Sequence, residues 1–190
     1  MSDKPLIVFD IGNVLLRFSQ ERAGENFDRI EPGAGPVLVR ALWETRLGLD
    51  LEKGRVAGPE FFRRAARPAG LAMGYAAFCA AFRDIFTPIP ENLRLLIRLS
   101  KTHSTALLSN TSGIHWRYLL RTYPALQSAR WPLASHLLKC MKPNPRIFKL
   151  LSKKQVLILR TWFTSMIAPN SFAPPNAWVS KPCATPAASP

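Results

Sequence analysis

The first patterned stretch is "LIVF", residues 6 to 9, an unbroken apolar run closed by Asp10 and then by Gly12 and Asn13. A run this short, apolar at every position, predicts a strand of a parallel sheet covered on both faces. From about Arg17 to Phe86 the period changes. "PVLVRALWETRLGL", "PEFFRRAARPAG" and "YAAFCAAFRDIF" set apolar residues three and four apart between Gly and Pro breaks, which predicts a segment that is helical throughout. "TPIPENLRLLIRLS" then opens a further helix at Pro90 and Glu91. Proline loses no hydrogen bond there and the acid meets the helix dipole; Leu93, Leu96, Ile97 and Ser100 are expected to share a face. "TALLSN" reads as a second short buried strand ending in polar residues. "SGIHWRYLLRTYP" follows as a helix, "WPLASHLLKCMKPNP" has no clear period, and "PRIFKLLSKK" restarts as a helix at Pro145.

This order predicts an α/β fold with a parallel sheet core and a small helical cap inserted after the first strand. The expected boundaries are 1–16 and 88–150 for the core and 17–87 for the cap. Residues 151–190 read as an aberrant, irregular tail. The last 22 residues contain six prolines and no acid, with neither helical nor strand period, so a packed structure is not expected there.

Composition alters this picture in one respect. The net charge of +14 invites a nucleic-acid reading, yet all 12 acidic residues lie at or before Glu91, balanced there by 12 Lys and Arg. Residues 92–190 carry 14 basic residues and no acid. The excess therefore reflects missing acids, and those cations are spaced singly apart from Lys153 and Lys154, with no nucleic-acid module. No apolar run approaches membrane-spanning length, and "MSDKPL" leads directly into the first strand, so a cytoplasmic protein without a membrane or nucleic-acid partner is expected. Cys79, Cys140 and Cys183 are too scattered for a disulfide framework. His136 and Cys140 lie four apart but have no second pair to complete a zinc site.

Three polar clusters each follow a predicted element: Asp10, then Ser109 with Asn110, then Lys142 in "MKPNP". In an open parallel sheet the carboxyl ends of neighbouring strands share one crevice. A carboxylate, a hydroxyl and an ammonium meeting there suit a phosphate ester, with the carboxylate attacking phosphorus while the other groups hold the equatorial oxygens.

Taken in order, "FDIGNVLL", "ALLSN" and "MKPNPRIF" resemble the first three motifs of the haloacid dehalogenase-like (HAD) hydrolases. The resemblance covers roughly residues 5 to 150 and is nearest to the small-cap branch that includes α-D-glucose-1-phosphate phosphatase. It implies a Rossmann-like core and a phosphatase that hydrolyses a small phosphorylated metabolite, such as a sugar phosphate, through an aspartyl-phosphate. It further implies Asp10 as nucleophile and Mg²⁺ ligand, the backbone carbonyl of Gly12 as a second ligand, and Ser109, Asn110 and Lys142 as phosphate-binding residues. It is silent on oligomeric state.

The chain departs from that pattern twice. Most of the superfamily has a second aspartate two residues after the nucleophile, acting as general acid, where this chain has Gly12. A positioned acid contributes about 100- to 10,000-fold, and a sugar 1-phosphate, whose anomeric oxygen leaves more readily, needs it less. The fourth motif, a strand ending in paired acids that complete the magnesium site, has no counterpart after Glu91. The alternative is therefore a catalytically inactive remnant that keeps the phosphate-binding crevice and lacks the metal-binding motif.

The missing acids have a genetic explanation. In relatives they follow the third-motif Lys at a spacing that points to the neighbourhood of Met166, where the chain reads "WFTSMIAPNSFAPPNAWV". In the frame that starts at the third base of each codon, the Met166–Ile167 junction must read GAT, aspartate. Trp162 before Phe163 must give valine, and Trp178 before Val179 must give glycine. A frameshift or sequencing error between about Leu151 and Arg160 is thus expected, the competing account being a divergent tail. Resequencing the gene separates them: an intact frame whose codons cannot encode the acids in any register rejects the shift.

Overall fold

In a computed structural model the chain is described over residues 6–149 and 156–157, all within one compact unit, Met1–Arg160. The expected shifted frame, and the tail apart from 156–157, lie outside the described residues.

Strand β1 (Leu6–Phe9) is buried at all four positions. Ile7 and Phe9 join one apolar cluster, Leu6 and Val8 another, so the unbroken apolar run is explained by a sheet covered on both sides. β4 (Ser104–Ser109) pairs with it in parallel, Leu6 opposite Ser104 through Phe9 opposite Leu107. This register brings the carboxyl ends of the two strands, Asp10 and Ser109, to the same edge of the sheet. β5 (Trp131–Ala134) pairs in parallel on the far side of β4. It lies within the stretch that has no clear period, and as an edge strand it accommodates Pro132. β6 (Val156–Leu157) pairs in parallel with β1 at Leu6 and Ile7, giving the order β5-β4-β1-β6. These two residues fall inside the segment expected to be irregular; Val156 and Leu157 supply a short edge pairing there.

Between β1 and β4 the chain makes the helical insert. It begins and ends with a short antiparallel ribbon, β2 (Leu16–Phe18) against β3 (Phe86–Pro88), which the helical period does not reveal. Within the ribbon's span lie α1 (Gln20–Ile30), α2 (Ala34–Trp43), α3 (Arg46–Glu52), α4 (Gly58–Ala66) and α5 (Tyr75–Arg83). The run "PVLVRALWETRLGL", expected as one helix, is broken at Glu44 and Thr45, where the Thr45 hydroxyl accepts from the Gly48 N–H and caps α3. The break permits a close crossing, since a Cβ on Gly48 would collide with the Leu42 carbonyl oxygen.

These helices have their own core, centred on Phe78. Its ring is fully buried and lies against Phe27 at 5.5 Å, Phe61 at 6.0 Å, Phe62 at 5.1 Å and Phe82 at 5.5 Å. The "YAAFCAAF" stripe is therefore packing. On the sheet, α6 (Pro90–Ser100) buries Leu96 fully and Leu93 in part, while Ile97, expected beside them, is 37% exposed. α7 (Gly113–Thr122) covers the same face through Trp116 and Leu119. α8 (Ser135–Leu138) and α9 (Pro145–Lys149) complete the described chain.

Phe78→Ala removes the ring on which five others, those above and Tyr75 at 6.2 Å, converge. It is expected to cost about 3–5 kcal/mol, measured as a lowered urea midpoint with an unchanged slope; a loss below about 1 kcal/mol would show that the insert is not organised around this residue.

Candidate functional site

Asp10 follows β1 in a tight turn, in which the N–H groups of Val14, Leu15 and Leu16 all donate to the Ile11 carbonyl. The turn presents Gly12 and steers the chain back into β2. Asp10 Oδ1 accepts the Ile11 N–H at 2.8 Å. Its other oxygen, Oδ2, meets Lys142 Nζ at 2.6 Å. The side chains of Lys142 and Asp10 are 23% and 39% exposed. Residues 132 positions apart in the sequence thus form one ion pair, as the convergence of strand ends requires.

Asn110 fixes Lys142 from the main chain. Its Nδ2 donates to the Lys142 carbonyl at 2.9 Å and its Oδ1 accepts the Lys142 N–H at 2.8 Å. Each polar atom of the amide makes one bond of this clamp, so Asn110 positions Lys142, and its second Nδ2 proton is left over for the ligand contact expected of it. Ser109 is buried, and its hydroxyl makes only a long contact of 3.5 Å with the Asn110 carbonyl. It remains able to turn toward a ligand.

A crevice adjoins this pair through Gly12, two residues after Asp10, and Asn110, bonded to Lys142; it is lined by these two with Ser109 and Thr111 from the core and by Phe18, Trp43 and Glu52 from the insert, while Asp10 and Lys142 themselves do not line it. Two contacts across it were not legible from the sequence. His115 of α7 is buried with its ring 3.8 Å from that of Phe82 and 4.9 Å from that of Phe86, and its Nε2 lies 2.8 Å from the Phe82 carbonyl. The carbonyl can only accept, so Nε2 carries a proton and the neutral ring is the Nε2–H tautomer. Burial pushes the His115 pKa down to about 4. Ser135 is the second: its hydroxyl accepts the Thr111 N–H at 2.9 Å and donates to the Glu52 carbonyl at 2.6 Å. A lone Ser or His carries no motif signal, so only the folded chain identifies them. His136, considered for zinc with Cys140, has Nδ1 3.0 Å from the Thr111 carbonyl, and Cys140 is buried in the core.

No protein-family model matches the sequence, and no curated protein does. Solved structures do match. A HAD family enzyme from Bacteroides thetaiotaomicron, in complex with magnesium and inorganic phosphate, superposes with a TM-score of 0.69 at 26% identity, over 79% of this chain and 78% of that one. A predicted HAD-like family hydrolase from Porphyromonas gingivalis gives 0.65 at 25% identity, over 80% and 76%. The chain belongs to the HAD superfamily. An L-2-haloacid dehalogenase from Xanthobacter autotrophicus, at 20% identity and a TM-score of 0.55, shares the HAD fold.

HAD relatives bind magnesium, as the Bacteroides enzyme does. The donor set here does not fit that ion. Mg²⁺ requires near-octahedral oxygen ligation. Among the described residues no three His, Cys, Asp or Glu side chains gather, the sequence has no acid beyond Glu91, and Asp10 Oδ2 is already paired with an ammonium. The metal roles expected of Asp10 and of the Gly12 carbonyl lack the partners that would complete them.

His115 gives the HAD core and its insert a pH-sensitive seam. Its folded pKa lies below the unfolded value near 6.5, so the unfolded chain binds more protons between these limits and stability falls as pH drops through them. The loss amounts to roughly 3 kcal/mol at full extent. His115→Gln is expected to flatten the stability profile between pH 6.5 and 4, read by urea titration at stepped pH; a slope as steep as that of the wild type rejects the assignment.

Proposed function

We propose that this HAD chain is a hydrolase of small phosphomonoesters acting through an aspartyl-phosphate on Asp10, with a sugar phosphate such as glucose 1-phosphate as the substrate class. The observation that supports it is the Asp10–Lys142 pair at 2.6 Å beside a crevice bordered by Ser109. A carboxylate that attacks a phosphate monoester approaches another anion. Two like charges about 4 Å apart repel by about 4 kcal/mol at the effective dielectric of a protein surface. An ammonium between them offsets much of that, and the Asn110 clamp places it there before substrate arrives.

Each residue then has one task. Asp10 Oδ2 or Oδ1 forms the bond to phosphorus as the leaving oxygen departs. Lys142 neutralises the equatorial oxygens, and the Ser109 hydroxyl, nearly unpartnered, donates to one of them. Water then cleaves the acyl-phosphate and restores Asp10. The helical insert walls one side of the crevice and is placed to select the group esterified to phosphate. Branch membership near the glucose-1-phosphate phosphatases rests on the "DIGNV", "LSNTS" and "KPNPRIF" segments.

A second reading, the inactive remnant, is favoured by the incomplete magnesium donor set. The two differ in turnover, while both retain anion binding through Lys142. Hydrolysis of p-nitrophenyl phosphate in the presence of Mg²⁺, abolished by Asp10→Asn, supports the first, with glucose 1-phosphate preferred to glucose 6-phosphate. Phosphate binding by calorimetry that Lys142→Ala removes, without turnover in the wild type, supports the second.

A further inference from the structure

On the phosphatase reading, one proton is still unassigned. The departing oxygen must acquire it, and Gly12 has no side chain to supply it. We propose that Glu52, the last residue of α3, is the general acid of this site, donating its carboxyl proton to the leaving oxygen. The inference rests on the hydrolase reading above and adds a catalytic residue to it.

Glu52 lines the crevice it shares with Gly12, Ser109 and Asn110. Gly12 faces the Phe18 ring: a Cβ there would touch it at 3.4 Å, an ordinary contact, so the position has room for a side chain but carries none. The main chain around Glu52 is held against the core at two points. Ser135 Oγ donates to the Glu52 carbonyl at 2.6 Å, and Lys139 Nζ donates to the Gly54 carbonyl at 2.5 Å. Gly54 itself has φ +64 and approaches so closely that a Cβ would run into the His136 carbonyl oxygen. An acid that must meet a substrate needs this kind of fixed backbone.

Most charged groups nearby are engaged elsewhere. Asp50, on the same helix, pairs with Arg55 at 3.4 Å; Lys53, next in the chain, caps α3 through its backbone N–H and makes no ion pair with Glu52. On the facing segments, Lys139 is bound to Gly54, His136 Nδ1 lies 3.0 Å from the Thr111 carbonyl, and His115 faces the Phe82 carbonyl. Among the described residues no cation pairs with the Glu52 carboxyl. Its burial beside the apolar crevice walls raises its pKa above the ordinary carboxylate value, so it holds its proton to higher pH than an exposed glutamate.

The cycle balances. As the Asp10 oxygen bonds to phosphorus and the ester P–O bond breaks, the leaving oxygen takes the Glu52 proton and departs as an alcohol. Glu52, now a carboxylate, accepts a proton from the water that attacks the aspartyl-phosphate. Phosphate leaves, and both carboxyl groups return to their starting states.

Comparing two substrates tests the role. p-Nitrophenyl phosphate has a stable leaving anion and ethyl phosphate a basic one. Glu52→Gln is expected to lower kcat/KM for ethyl phosphate about 100-fold or more, and by a factor at least about tenfold smaller for p-nitrophenyl phosphate. Gly12→Asp in the Glu52→Gln background is expected to restore part of the ethyl phosphate activity. Equal losses on both substrates overturn the assignment while leaving the hydrolase reading intact. Absence of wild-type turnover on both overturns that reading and this one with it. Carboxyl ¹³C NMR reads the group without turnover: one glutamate signal, missing in Glu52→Gln, titrates above the others. A Glu52 that titrates with the remaining glutamates counts against its role as the acid.

Discussion

The ion pair between Asp10 and Lys142 is the contact on which the arrangement of this core depends. The Asp10–Lys142 contact joins a residue at the end of β1 to one that follows α8, and it forms only if β1 and β4 run in parallel with Asp10 and Ser109 at the same edge. Parallel pairing in turn demands a sheet covered on both faces, which is why β1 is apolar throughout. Asn110 bonds the Lys142 backbone through both its Nδ2 and its Oδ1. A lysine on a loose loop would pay both backbone and rotamer entropy to bring its ammonium here; a doubly bonded main chain removes the backbone part of that cost.

The helical insert depends on the same site from the other side. Its aromatic core around Phe78 takes in Ile114 of α7, and it also reaches the core domain through polar contacts at the crevice: His115 to the Phe82 carbonyl, and Ser135 to the Glu52 carbonyl. A seam of hydrogen bonds to carbonyls is directional where an apolar seam is not, so it sets how the two halves meet as well as whether they do. The neutral state of His115 belongs to this design, because a charged ring in that position would have to shed its hydration with no counter-ion beside it.

Much of this was legible in the residues. β1 and β4 announce themselves as short unbroken apolar runs, and Asp10, Ser109 and Lys142 stand at element ends where a parallel sheet collects its chemistry. What escaped did so for physical reasons. β2 and β3 are three residues each, too short for any period to register. β5 contains a proline and an exposed tryptophan, the marks of a loop until its edge position is known. Asn110 was recognised as a site residue, but its hydrogen bonds show a positioning task that spacing cannot. Glu52 looks like any solvated acid at a helix end, and only tertiary packing places it in the crevice.

The β2–β3 ribbon, described above only as the place where the insert begins and ends, has a mechanical consequence. Leu16 stands opposite Pro88 and Phe18 opposite Phe86, so the outgoing and returning chains are stitched together. Two strands bonded side by side resist sliding past one another but flex readily across their plane. The two crossings between core and insert thus act as one strap instead of two independent linkers, and the insert keeps its heading relative to the sheet even where its other ties to the core are single hydrogen bonds.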